Sequence, residues 1–207
     1  MKPSKKLVFL RFSSLGDVAI SIPIIRCFLL KYPEMNVTFV TKKIYTPLFY
    51  EFSNVQILEL DTYDRHRGFY GLFNLYTDIK KLNPFGVVDI HGSLRTNILN
   101  LFFFFSSIRY RKIYKGRIEK KSLTRKSNKV LAPLVPVIYR YGDVLRKIGF
   151  PVDLSEHKFP VKPCTPKKFN DSYFNSKLKW IGIAPFAKHV GKIYPLDLTQ
   201  KVISFLQ

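Results

Sequence analysis

Short apolar runs alternate with stretches of helical periodicity along the first 150 residues of the chain. Residues 6–12 (KLVFLRF) form a brief apolar run that ends in Ser-Ser-Leu-Gly, the pattern of a buried strand feeding a loop. Over 17–32, Val18, Ile22, Ile25 and Leu29 recur at helical spacing, which predicts an amphipathic helix. Pro23 within it predicts either a kink or the true first turn. Residues 36–41 (NVTFVT), 55–60 (VQILEL) and 86–90 (GVVDI) read as strands, with a short helix over 46–52. Leu72, Leu75, Tyr76, Ile79 and Leu82 form a helical stripe closed by Asn83-Pro84, and 94–105 reads as the next helix. Residues 108–114 alternate apolar with basic side chains, as an edge strand does. A further helix over 137–148 is ended by Gly149 and Pro151.

Strands alternating with helices across short loops predict an α/β protein with a Rossmann-like, mainly parallel, doubly wound sheet over residues 1–150. Residues 151–179 are rich in Pro and Lys with weak periodicity and read as a linker. A single βα unit follows over 180–207, with a strand at 180–184 and a helix from about 196 onward. One such unit cannot cover both faces of a sheet, so it is not expected to fold as an independent domain.

Charge changes this picture more than composition does. Lys and Arg number 35 against 14 Asp and Glu, a formal net charge of +21, which favours anionic partners without choosing among nucleic acid, lipid headgroups and phosphorylated small molecules. Residues 109–129 hold ten of the basic side chains and one acid, Glu119. Cys27 and Cys164 have no metal-ligand or paired-disulfide spacing, so a reducing cytosol is the default expectation. The apolar stretch 98–105 falls well short of the ~20 residues that span a bilayer. A soluble protein able to sit at a membrane surface is expected.

Three loops carry candidate chemistry. The first, Ser13-Ser14-Leu15-Gly16-Asp17, joins the first strand to its helix, where ligands of a doubly wound sheet bind. Gly16 permits close backbone approach, and the helix start favours an anion, although Ser and Asp are also ordinary capping residues. The loop lacks GxGxxG, so no dinucleotide site is indicated. The second, 89–96 (DIHGSLRT), lies at the same end of the sheet and offers His91 as a substrate contact, a proton relay or a structural histidine. The third, 184–195 (APFAKHVGKIYP), places Lys188 and Lys192 among small residues, a weak phosphate-loop signal that departs from the Walker pattern.

The order RFSSLGDV, DIHGSLRT, KGRIEKKSLTR and APFAKHVGKIYP resembles the ADP-heptose:lipopolysaccharide heptosyltransferases and their relatives in glycosyltransferase family 9. That resemblance implies the N-terminal, acceptor-binding half of a GT-B fold, followed by a truncated βα unit of the donor-binding half. It implies Asp17 as general base of an inverting, metal-independent transfer from an ADP-sugar, with no further cofactor. Ser13, Ser14, Gly16, His91 and Arg95 would line the acceptor side. Lys115, Arg117, Lys120, Lys121 and Arg125 would meet an anionic glycolipid or glycan acceptor, unless that segment is a solvated loop. Lys188 and Lys192 would contact donor phosphate. The implied location is cytoplasmic, with peripheral contact at the inner face of the inner membrane. The family's donor half continues beyond the equivalent of Gln207, so this chain alone is expected to be weakly active or inactive. The rival expectation is a basic α/β protein that binds nucleic acid; a third is a non-catalytic subunit that pairs through 180–207.

Overall fold

The computed structural model describes residues 5–159, 179, 181–187 and 189–206. Five strands, β1 (Lys6–Leu10), β2 (Asn36–Thr41), β3 (Val55–Glu59), β4 (Gly86–Asp89) and β5 (Arg109–Lys112), form one sheet in the order β3-β2-β1-β4-β5. Every pairing is parallel, and Leu10 at the end of β1 sits level with Val40 of β2 and Asp89 of β4. This is the α/β, doubly wound architecture the pattern predicts. The basic strand β5 is an edge, as its alternation implies.

The sheet separates two apolar layers by the period-two alternation of β1. Leu7 and Phe9 point into a core with α1 (Leu15–Lys31) and the helix Val137–Ile148, here α5. Val8 and Leu10 point the other way, into a core with α2 (Gly68–Lys81) and α3 (Leu94–Phe104). Strands covered on both faces need continuous apolar runs, which is why β1 and β4 carry buried side chains along their lengths. Phe9 is fully buried between Phe28 and Phe39, and its replacement by alanine is expected to cost about 3–5 kcal/mol.

Several local expectations need correction. Helix α1 begins at Leu15 and runs through Pro23, so the proline does not mark a first turn. The short helix expected over 46–52 is a 3-10 segment, Lys43–Phe49. Inside the basic stretch, Arg117–Thr124 forms a helix, α4, that no apolar stripe announces; its N-cap is Gly116, in a left-handed conformation at φ 60°. Of the strand expected at 180–184, residues 181–184 carry no regular structure, and Trp180 lies outside the described residues.

The chain divides into two compact units, 1–160 and 161–207. Within the second unit the described residues include a 3-10 turn, Val190–Lys192, and a helix, α6 (Leu196–Leu206).

Within the first unit, the order of winding reverses between β1 and β4. Loops leaving the carboxyl ends of those two strands diverge there and leave a crevice, the usual ligand position in such sheets. No helix among the described residues is long and apolar enough to cross a membrane.

Candidate active site

Arg11 is the anomaly of β1's exit: an arginine only 7% exposed, at the end of an apolar strand. A buried guanidinium needs partners on several sides. Its Nη1 donates to the Ile90 carbonyl at 2.8 Å, and its Nη2 forms an ion pair with Asp17 Oδ2. Arg11 therefore ties the loop after β1 to the loop after β4.

Asp17 is the third residue of α1, and Ser14 is its N-cap. The Ser14 backbone N–H donates to Asp17 Oδ2 at 3.3 Å and the Ser14 hydroxyl to the same oxygen at 3.0 Å. The capping role foreseen for Ser and Asp is thus real. All these bonds fall on Oδ2. Among the described residues Oδ1 has no protein partner, and the Asp17 side chain remains 37% exposed. Partial burial raises the carboxyl pKa, but the Arg11 guanidinium and the Ser14 bonds outweigh it and hold the group below the ordinary carboxylate value. Ser13 is half-buried and Gly16 exposed; a Cβ on Gly16 would meet nothing within 4 Å, so that face of the loop is open.

The loop after β4 is held by Asp89, which is fully buried. Its Oδ1 accepts from the His91 and Gly92 backbone N–H groups at 2.9 and 2.8 Å, and its Oδ2 from the Tyr110 hydroxyl at 3.0 Å. Gly92 has φ 57°, and a Cβ there would lie 2.8 Å from Ile113 and 3.0 Å from Lys115, so glycine is required twice over. The fixed loop sets His91 against Phe12, with ring centroids 4.9 Å apart. Desolvation and the nearby cations Arg11 and Lys115 push the His91 pKa down to about 4, so the ring is neutral at pH 7. Its Nδ1 is buried with no partner among the described residues. Ser93 caps α3 in a reciprocal pair with Thr96, and Arg95 is exposed in the first turn of α3.

A groove of about 400 Å³ opens onto Asp17. Its charged lining is Arg11, Lys115, Lys120 and Arg140, with Asp17 the lone carboxylate; Ile113 and residues 134–137 complete the wall. Lys115 is held below its ordinary pKa by desolvation and by repulsion from Arg11 and Arg117, the mark of a cation cluster short of counter-charge. Arg117 lines a smaller adjoining cavity of about 180 Å³ with Lys115, Gly92 and Asn97. Lys121 and Arg125 are exposed and line neither cavity. Lys192 is exposed within the 3-10 turn of the second unit, and Lys188 lies outside the described residues. Among the described residues no cluster of three or more His, Cys, Asp or Glu side chains is placed to hold a metal.

Two groove residues escaped the sequence reading. Arg11 carried a usable signal, a charge inside an apolar strand. Arg140 carried none: it lies beside the buried face of α5, and its guanidinium donates to the carbonyls of Val135 and Tyr114, contacts set by loop geometry.

No protein-family model matches the chain, and no curated protein sequence matches it. Solved structures do. A glycosyl transferase of family 9 from Veillonella parvula matches with a TM-score of 0.70 at 17% identity, over 98% of this chain and 60% of that one. The E. coli heptosyltransferase WaaC with ADP matches with a TM-score of 0.59 at 13% identity, over 97% of this chain and 64% of the other. The same enzyme with ADP-2-deoxy-2-fluoro heptose gives 0.60, again at 13% identity, over 65% of its length. The chain therefore has the Rossmann-like α/β fold of these glycosyltransferases and spans about 60–65% of their length.

Proposed function

We propose that this chain is the acceptor-binding part of a glycosyltransferase of the heptosyltransferase type, taking a sugar from an ADP-sugar to an anionic glycan or glycolipid. The observation that carries this reading is the Asp17 carboxylate, with Oδ2 anchored, Oδ1 without a partner among the described residues, and the side chain lining a groove whose other charged groups are all cations. Likeness of fold to family 9 structures and the loop motifs that resemble that family support it.

In this mechanism the acceptor lies in the groove with a hydroxyl against Asp17 Oδ1. Its phosphate or carboxylate groups meet Lys115, Lys120 and Arg140. The hydroxyl oxygen attacks the anomeric carbon of the donor from the face opposite the diphosphate. The new C–O bond forms as the bond to the diphosphate breaks, the ADP leaves with the electron pair, and the configuration inverts. A carboxylate held below its ordinary pKa is a weak base toward a free alcohol, so the proton passes to Oδ1 late, once the forming bond has made the hydroxyl acidic. Anchoring of Oδ2 fixes the direction of Oδ1, which is the geometric requirement of such a step. Neutral His91 offers a ring nitrogen as a hydrogen-bonding partner for the sugar, not a charge. Lys192 and Lys188 belong to the donor side in this reading, the chemistry requires no metal, and the location is cytoplasmic with peripheral contact at the inner membrane.

The test is transfer from an ADP-sugar to a phosphorylated core oligosaccharide by this chain joined to the donor half of a family 9 glycosyltransferase, compared with the D17N variant of the same fusion. Loss of about 10²–10⁴-fold in rate is expected for removal of a general base. Equal transfer by both proteins would overturn the assignment.

A further inference from the structure

The layer of α2 and α3 presents exposed aromatic side chains, none of which lines the groove. Phe69, Tyr70 and Phe73 stand out from α2, and Leu101, Phe104 and Phe105 from α3. Tyr70, Phe104 and Phe105 are 85%, 79% and 82% exposed. The two helices meet through aromatic contacts: Phe69 and Phe73 pack edge-on against Phe102 of α3 at 5.7 Å, while Phe103 turns inward to the core. The i, i+3 spacing of Leu101 and Phe104 places them together on α3, and Phe105, its C-cap, holds its ring 5.3 Å from that of Phe104. An exposed apolar area of this kind on a soluble domain marks a contact surface.

Charge selects the partner. Between Gly68 and Phe105 the only carboxylates are Asp78, paired with Arg65, and Asp89, which is fully buried. Lys80 lies over the Tyr76 ring at 5.7 Å, and Lys81 and Arg95 are exposed on the same two helices. Aromatic side chains beside cations, with no free carboxylate, suit the headgroup boundary of an anionic bilayer, where rings enter the acyl edge and ammonium groups meet phosphate.

We propose that the α2–α3 face docks the protein on an anionic lipid bilayer, with Phe104, Phe105 and Tyr70 entering the interface and Lys80 and Lys81 contacting headgroups. This deepens the peripheral-membrane element of the proposed function, yet it uses no residue of the groove. The two therefore fail separately: vesicle binding reports on this face, and sugar binding on Asp17.

The experiment is co-sedimentation of the full 207-residue chain with phosphatidylcholine vesicles, with and without 30% phosphatidylglycerol. Binding to the anionic vesicles alone is expected. The F104S/F105S variant, altered only at exposed positions, is expected to lose about tenfold or more in partitioning with an unchanged thermal melt. K80E/K81E should weaken binding mainly at low salt. Undiminished vesicle binding by F104S/F105S would overturn the proposal. So would light scattering that shows a wild-type dimer made monomeric by the same change, because the face would then belong to a second copy.

Discussion

The loops after β1 and β4 each hold an aspartate at the same end of the sheet, and the two are used in opposite ways. Asp89 is fully buried, and both its oxygens accept bonds, from the His91 and Gly92 backbone and from the Tyr110 hydroxyl. Asp17, which lines the groove, concentrates its bonds on Oδ2 and leaves Oδ1 without a partner among the described residues. The first is a structural tie that shapes the loop; the second is held still without being used up. A carboxylate that is both oriented and incompletely bonded at the mouth of a cationic groove is the better candidate for chemistry.

The largest effect should come from breaking the structural tie. D89A leaves two buried backbone donors unpaired and takes one of two acceptors from the buried Tyr110 hydroxyl, which keeps the Thr96 carbonyl; a loss of roughly 3–5 kcal/mol is expected in urea denaturation. Next is R11A, which removes the bond to Ile90 and the partner of Asp17. About 2–3 kcal/mol of stability should be lost, and the Asp17 carboxyl, followed by carbon NMR, should titrate at higher pH than in the wild type. R11K should restore part of both.

A smaller effect belongs to His91. Its folded pKa of about 4 lies below the ordinary value of 6.5, so between those limits the unfolded chain takes up a proton that the folded ring refuses. Stability is therefore unaffected by this group above pH 6.5, falls as the pH drops toward 4, and levels off below it. About 1–2 kcal/mol should be lost over that window, and H91Q should flatten the profile. The least effect on stability is expected for D17N, about 1 kcal/mol, because the amide oxygen can still accept from the Ser14 N–H and from Arg11 while the charge on that pair is lost. A large loss there would place Asp17 with Asp89 as a structural residue and erase the contrast.

The sheet was legible because its strands are buried on both faces and so carry apolar runs; β1, β2 and β4 lie where those runs fall. Helix α5 was equally clear, since Tyr141, Val144, Leu145 and Ile148 mark its buried face and Gly149 its end. Helix α4 was not legible: none of its residues is buried, so hydrophobic periodicity had nothing to report. Residues 181–184 show the reverse difference, an apolar pattern that carries no regular structure. In the groove, Lys115 and Lys120 stood out as members of a basic cluster, whereas Arg140 arrives through the packing of α5 and leaves no trace in local pattern. Nothing in spacing alone distinguishes a capping aspartate with one free oxygen from one with none.

The most direct measurement is a titration of the labelled chain with a phosphorylated monosaccharide and its neutral counterpart, followed residue by residue by NMR. The account predicts saturating shifts at Asp17, Arg11, Lys115 and Lys120 with the phosphorylated sugar, weaker ones with the neutral sugar, and loss of both in K115A/K120A. Shifts that avoid the Asp17 groove, or that appear only with nucleic acid and collapse steeply with salt, would contradict it.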